Sequence, residues 1–353
     1  MNEVYGNPSS LHKKGYLAQK EIEKTKISIA KLLNIEDEND IYFTSGGTEA
    51  NNLAIFGACN ALKKRGNKIV TTAIEHSSVY SVFKALENNG FNVIYLKPDI
   101  YGKIDENKII NAIDNNTILV SIMMVNNEVG SILPVEKVRN ILKIKNSSAI
   151  FHVDAVQSFG KIPVDVKKIK PDLLTISAHK VHGPKGIGAL YKNKKVKIIP
   201  RTFGGEQQNK VRPGTEAVPI IGAFGACVNE ISLERNYEHA KKLKEYLIES
   251  LAFIKGIELN SGFDSLAYIV NFSVNGIKAE TMINFLSDRG IYVSGGSACS
   301  KGKKSRVLKN LGLSDSRITC ALRISFSKYN TIDDIDALCL ALKEGIGSLV
   351  RYR

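Results

Sequence analysis

Little in this chain points to cross-links or metals as its support. The five cysteines, Cys59, Cys227, Cys299, Cys320 and Cys339, are scattered, odd in number and form no C-x-x-C pair. That pattern excludes a disulfide framework and offers no zinc-ligand spacing, so reduced thiols and no metal are expected. Long apolar runs are also missing: "ILVSIMMV" at 118–125 is strand-sized and falls far short of a membrane span. The opening "MNEVYGNPSSLHKKGYLAQK" lacks the apolar stretch and small-residue cleavage site of a signal peptide, so a cytoplasmic protein without a membrane partner is expected. There is no G-x-x-x-x-G-K-[ST], which argues against a nucleotide P-loop, and no internal repeat or low-complexity segment. Acidic residues are in deficit, 35 against 49 Lys and Arg, for a formal charge of +14. The lysines are spread along the chain, often beside Asn and Ile, without arginine–aromatic interleaving. A solvated basic surface is therefore expected, with no direct nucleic-acid binding.

With 353 residues, 43% of them hydrophobic, the chain can bury a large core, and its length suggests two domains. From Ile41 to about Val211, short β-rich runs ("IYFTS", "KIVTTA", "NVIYL", "ILVSIMMV", "AIFHVD", "LLTISA") alternate with helical stretches such as "TEANNLAIFGACNALKKRG" and "VEKVRNILKIK". This alternation predicts an α/β domain with a mostly parallel central sheet and helices on both faces. Between about Val218 and Ile254 the pattern is helical for much longer, and "ERNYEHAKKLKEYL" within it reads as a link. A smaller α+β domain follows, from "LAYIVNFSVN" to the last helix at "TIDDIDALCLALKEG". The division is a large domain over 1–232 and a small one over 233–353.

Parallel sheets bind ligands at the carboxyl ends of their strands, and polar residues gather there. In "LLTISAHKVHGPKG" a strand ends at Ser177 and is followed by His179 and Lys180. A lysine at a strand exit inside a cleft suits Schiff-base chemistry, because partial desolvation frees the amine; alone, it is more often a surface lysine. Upstream, "FHVDAVQS" delivers Asp154 and Gln157. Asp154 alone reads equally as a helix cap, but a pyridoxal phosphate enzyme needs a carboxylate against the ring nitrogen and a lysine for the aldehyde. "FTSGGTEANN" gives strand, Gly46-Gly47-Thr48 and helix, a phosphate seat or an ordinary turn. "EHSSV" and "NNEVG" add His76, Asn126 and Asn127 after two further strands, where capping or core hydrogen bonding is the commoner role.

Taken in order, "GNPSSLH", "TSGGTEANN", "EHSSV", "NNEVG", "HVDAVQS", "SAHKVHGPKG", "RPGTE", "GSACS" and "LRIS" resemble the cysteine desulfurases, within the class V aminotransferase-like, fold-type I pyridoxal phosphate enzymes. The resemblance covers essentially the whole chain. It implies that Lys180 binds the cofactor's aldehyde, Asp154 pairs with the pyridine nitrogen, and His76 stacks on the ring and takes part in proton movement. Asn127 and Gln157 would contact the ring's hydroxyl side, with Asn127 also near the substrate. Gly47, Thr48, Ser177 and His179 would hold the phosphate, with Thr215 of "RPGTE" reaching over from a second subunit of a homodimer. Arg323 in "CALRISFS" would clamp the carboxylate of L-cysteine through its bidentate fork.

The same resemblance gives a role to Cys299, which sits in "VSGGSACSKGKK" with nothing apolar to pack against. Its thiolate would take the substrate's sulfur as a persulfide, leaving alanine, and carry it to an acceptor protein, an iron–sulfur scaffold or a tRNA-thiolation enzyme. Flanking glycines allow such a loop to move, and Lys301, Lys303 and Lys304 favour the thiolate. The other four cysteines lie in apolar settings and read as core. Family members usually carry a short strand and a "D-x-A-A/S-T-T-P"-like stretch ahead of "GNPSS", whereas Gly6 here follows Met1 closely. That motivates one alternative, a catalytically impaired dimeric scaffold for sulfur-transfer partners. A selenocysteine lyase or aminotransferase of the same fold is the other.

Overall fold

In a computed structural model, which describes residues 4–295 and 304–351, the apolar runs read from the sequence become β1 (Ile41–Thr44), β2 (Lys68–Thr72), β3 (Asn92–Leu96), β4 (Thr117–Met123), β5 (Ile150–Asp154), β6 (Leu173–Ser177) and β7 (Gly188–Lys192). They form one sheet in the order β1-β7-β6-β5-β4-β2-β3. Pairings from β3 through β2, β4 and β5 to β6 are parallel, and those of β7 with β6 and β1 are antiparallel. Two reversals restore direction, so β1 ends at the same sheet edge as β5 and β6. β4, β5 and β6 are buried at every position, as expected of strands covered on both faces. The connecting helices are α1 (Lys13–Leu33), α2 (Gly47–Leu62), α3 (Ser77–Asn88), α4 (Glu106–Ala112), α5 (Val135–Ile144), α6 (Val166–Ile169) and α7 (Val218–Asn229). Leu53, Ile55 and Ala58 of α2 pack in one core with Phe83 and Leu86 of α3 and with Ile69, Leu119, Leu173 and Leu190 of the sheet.

A second unit contains α8 (Leu233–Ala252), β8 (Ile257–Leu259), β9 (Ile269–Val274), α9 (Ala279–Ser287), β10 (Ser294–Gly295), α10 (Arg306–Asn310), α11 (Asp315–Thr319), β11 (Ala321–Ser325) and α12 (Ile332–Ser348). Its sheet, in the order β10-β11-β9-β8, is antiparallel throughout. One face is apolar: Phe272, Val274, Leu322 and Ile324 pack against Leu247 and Leu251 of α8, Met282 and Leu286 of α9, and Leu338 and Leu342 of α12. Thr331 and Asp334 close a capping box at the start of α12, satisfying two backbone donors.

The chain divides unevenly between these units. The first holds the residues up to Leu96, Asp105–Met124 and Pro134–Leu233; the second holds Lys97–Ile104, Val125–Leu133 and the chain from Glu234 onward. Asn127 therefore belongs to the second unit, apart from the other strand-exit residues. Its segment is tied there by bonds from Leu266 N to Gly130 O (2.7 Å), Asn271 Nδ2 to Glu128 O (3.1 Å) and Ser261 Oγ to Val129 O (2.8 Å). The long helical stretch is two helices, α7 and α8. Ile231 lies between them and packs over Gly160, where a Cβ would come within 2.8 Å of its Cδ1. Among the described residues no helix is long and apolar enough to cross a membrane.

Candidate active site

At the shared edge of the first sheet, β1 passes into α2 through Gly46, whose φ of 149° and ψ of 178° are open essentially to glycine alone. A Cβ on Gly47 would meet Val156 Cγ2 at 2.8 Å and Ser177 Cβ at 3.6 Å. The two glycines thus bring the N-terminus of α2 against the exits of β5 and β6. Thr48 is exposed beside them. Ser177 closes β6 and its Oγ lies 2.8 Å from His179 Nδ1. Lys180 is half-buried in the 3₁₀ turn Ala178–Val181 that follows. Burial, with Lys180 next, lowers the pKa of His179, so this ring favours its neutral form.

Asp154 is the buried centre of this group. Its Oδ1 accepts from Val156 N (3.0 Å) and its Oδ2 from Asn51 Nδ2 (2.8 Å), and it belongs to no ion pair among the described residues. Burial pushes its carboxyl pKa up, opposed by the Val156 N–H, His76 and Asn51. Two positions earlier on the same face of β5, His152 is fully buried, with Nδ1 2.8 Å from Ser121 Oγ and Nε2 3.1 Å from Thr175 Oγ1. Burial drives its pKa down to about 3, so it is a neutral tie across β4, β5 and β6. His76 caps α3, accepting at Nδ1 from Ser78 N. Gln157 is buried, its Oε1 accepting from Lys161 Nζ at 2.9 Å.

This donor set fits pyridoxal phosphate. A carboxylate buried without a cation lacks a counter-charge, which a protonated ring nitrogen would supply, and the glycine turn opens onto the N-terminus of α2, whose free backbone N–H groups suit a phosphate. Thr215 is exposed, on a stretch held by Arg212 Nε to Glu49 Oε1 (2.9 Å) and by Gly214 N to Gln207 Oε1 (3.1 Å).

In the second unit, Arg323 Nη1 donates to Asn127 O at 2.9 Å. Asn127 Oδ1 is buried and meets no donor among the described residues. Ser294 of β10 pairs with Arg323, and Ser305 Oγ donates to Glu128 Oε2. Both flanks of 296–303 are therefore anchored beside Arg323 and Glu128. Cys299 itself lies outside the described residues. Lys304 Nζ pairs with Asp315 Oδ2 at 2.7 Å, so its charge is engaged there.

Sequence reasoning assigned no role to Asn51, Ser78, His152, Glu128 or Ser305. A signal existed for Asn51, a polar residue on a helix face otherwise made of Gly47, Ala50, Ala54 and Ala58; such a residue, when buried, needs a partner. Glu128 has a measurable consequence. Burial raises its carboxyl pKa from 4.5 to about 7, against the Ser305 hydroxyl, Arg323 and Arg306, which favour the charge. The folded state thus holds a proton that the unfolded chain has lost between those values, so this group's contribution to stability falls as pH rises through that window. Glu128→Gln is expected to gain about 3 kcal/mol relative to the parent between about pH 4.5 and pH 8. Urea unfolding at both pH values measures it; a pH-independent difference would contradict the assignment.

The Aminotransferase class-V family matches residues 1–338. A cysteine desulfurase IscS of Methanosarcina thermophila is 40% identical over 99% of this chain and 87% of its own length. A solved structure described as a NifS-like protein superposes with a TM-score of 0.91 at 38% identity, covering 98% of this chain and 92% of the other. Another, "SspA in complex with cysteine", gives 0.83 at 32% identity over 94% and 93% of the two chains. With the fold, the buried carboxylate and the strand-exit lysine already in place, these likenesses show that the chain belongs to the aminotransferase class-V family, in its cysteine desulfurase branch.

Proposed function

We propose that this protein is a pyridoxal phosphate-dependent cysteine desulfurase that converts L-cysteine to L-alanine and keeps the sulfur as a persulfide on Cys299. The observation that carries the reading is Asp154: a carboxylate buried without an ion-pair partner, on the sheet edge that also bears His76, Ser177, His179 and Lys180. Asp154 would face the ring nitrogen, His76 the ring, and Asn127 and Gln157 its hydroxyl. Gly47, Thr48, Ser177 and His179 would hold the phosphate, joined by Thr215 from a second copy of the chain, for which the exposure of Thr215 is the support. When bound, the cofactor acidifies the substrate's Cα and makes its sulfur electrophilic by drawing electrons into the ring.

The chain's own groups do the rest. Arg323 clamps the substrate carboxylate, its orientation set by the bond to Asn127 O. Lys180 Nζ, when not attached to the cofactor, takes the Cα proton. Cys299 thiolate forms an S–S bond to the substrate sulfur as the Cβ–S bond breaks; the electron pair stays with the carbon fragment, which is protonated to alanine. The thiol is thereby oxidised to the persulfide and the carbon reduced, so no external oxidant is needed. An acceptor protein, in iron–sulfur assembly or tRNA thiolation, would remove the persulfide sulfur in the cytoplasm. Purified protein with cofactor, L-cysteine and a thiol reductant is expected to release alanine and sulfide in equal amounts. Turnover of selenocysteine alone, or of neither substrate, would overturn the reading.

A further inference from the structure

Asn51, Ser78, His76 and Asp154 are joined by a chain of hydrogen bonds. Asn51 is 1% exposed, and its Nδ2 lies 2.8 Å from Asp154 Oδ2 and 2.9 Å from Ser78 Oγ. Its two amide protons are thereby both used, one on each partner. The opposite orientation would set Asn51 Oδ1 against an ionised carboxylate, two acceptors with no proton between them. In the orientation present, Oδ1 is buried and meets no donor among the described residues, which is unfavourable. Such an arrangement points to a constraint on the amide nitrogen.

The direction propagates. Ser78 Oγ accepts from Asn51 and stands 2.9 Å from His76 Nδ1, so its own proton is available to that nitrogen. The Ser78 backbone N–H, which can only donate, also points at His76 Nδ1, at 3.2 Å. Nδ1 therefore faces two donors and must carry no proton; in the neutral ring the proton resides on Nε2.

We propose that Asn51 and Ser78 are positioning residues that relay the ionised state of Asp154 to the tautomer of His76, holding Nδ1 as an acceptor and placing the exchangeable proton on Nε2. The proposal rests on the reading of Asp154 and His76 as cofactor-site residues, and it assigns to the start of α2 a role distinct from seating phosphate. Proton exchange with anything bound over the ring is confined to Nε2. Asp154, in turn, is held in one orientation by the same amide.

The test is two-bond ¹H–¹⁵N correlation on full-length protein labelled with [¹⁵N]histidine, with and without pyridoxal phosphate and in the absence of L-cysteine, with His76 assigned from a His76→Asn sample. The parent is expected to show a bare, pyridine-like Nδ1 and a protonated Nε2. Ser78→Ala removes one of the two donors facing Nδ1, a bond of about 1.4 kcal/mol, and is expected to lower the Nε2–H to Nδ1–H ratio about tenfold; Asn51→Leu, which removes the amide's bonds to both Ser78 and Asp154, is expected to move the ratio in the same direction. A parent His76 protonated on Nδ1, or a ratio unchanged in a folded Ser78→Ala variant, would overturn the relay. Because the ratio is read without substrate, an inactive enzyme does not move it. Continued alanine release from a parent lacking the expected tautomer would sink the relay and leave the desulfurase reading standing.

Discussion

Lys180→Ala is expected to lower alanine release from L-cysteine by roughly 10³-fold or more, because one side chain supplies both the covalent hold on the cofactor and the base for the Cα proton. Lys180 is suited to both tasks by position: β6 ends at Ser177 and the 3₁₀ turn Ala178–Val181 follows at once, leaving the lysine half-buried at the sheet edge. The substitution adds no bulk, and the turn's fully buried member is Ala178, so the fold should persist. Two readouts separate chemistry from folding. Borohydride should fix the cofactor to the parent chain and not to the variant, while thermal unfolding midpoints stay close. A variant that still fixes cofactor covalently would place the attachment on another lysine.

Cys299→Ala is expected to have an effect of similar kind but at a different stage. It should leave cofactor attachment at Lys180 untouched, since Asp154, His76 and Ser177 are held by Asn51, Ser78 and His179, and should lower sulfide and alanine release by roughly 10²-fold or more. An aminotransferase would be indifferent to this change. Parent-like turnover by Cys299→Ala would therefore remove the persulfide from the mechanism while leaving the cofactor assignment intact.

The strands that build the first sheet were legible because parallel strands, covered on both faces, are continuous apolar runs, and their polar exits stand out against them. Ser177, Lys180 and Asp154 could be read in this way. β8 and β10 could not: β8 is three residues with a charged middle, Ile257–Leu259, and β10 is Ser294–Gly295, held by pairing with β11 rather than by any propensity of its own. The position of Asn127 was also hidden. The run "ILVSIMMV" ends at Val125, which bridges to Ile132, and the partners that hold the segment, Asn271 and Arg323, lie far along the chain. Asn51 and Ser78 escaped for a related reason. The two meet across α2 and α3, and a helix sequence records which face is buried without recording what lies beneath it.

The central claim is that sulfur from L-cysteine comes to rest on Cys299. A single turnover of cofactor-loaded protein with limiting L-cysteine and no reductant, followed by mass spectrometry of the peptide containing Cys299, tests it directly. The expected result is a gain of one sulfur atom on that peptide, removed by a thiol reductant and matched by one alanine per sulfur. Alanine formed with the added sulfur on another cysteine, or with none retained on the chain, would contradict the claim.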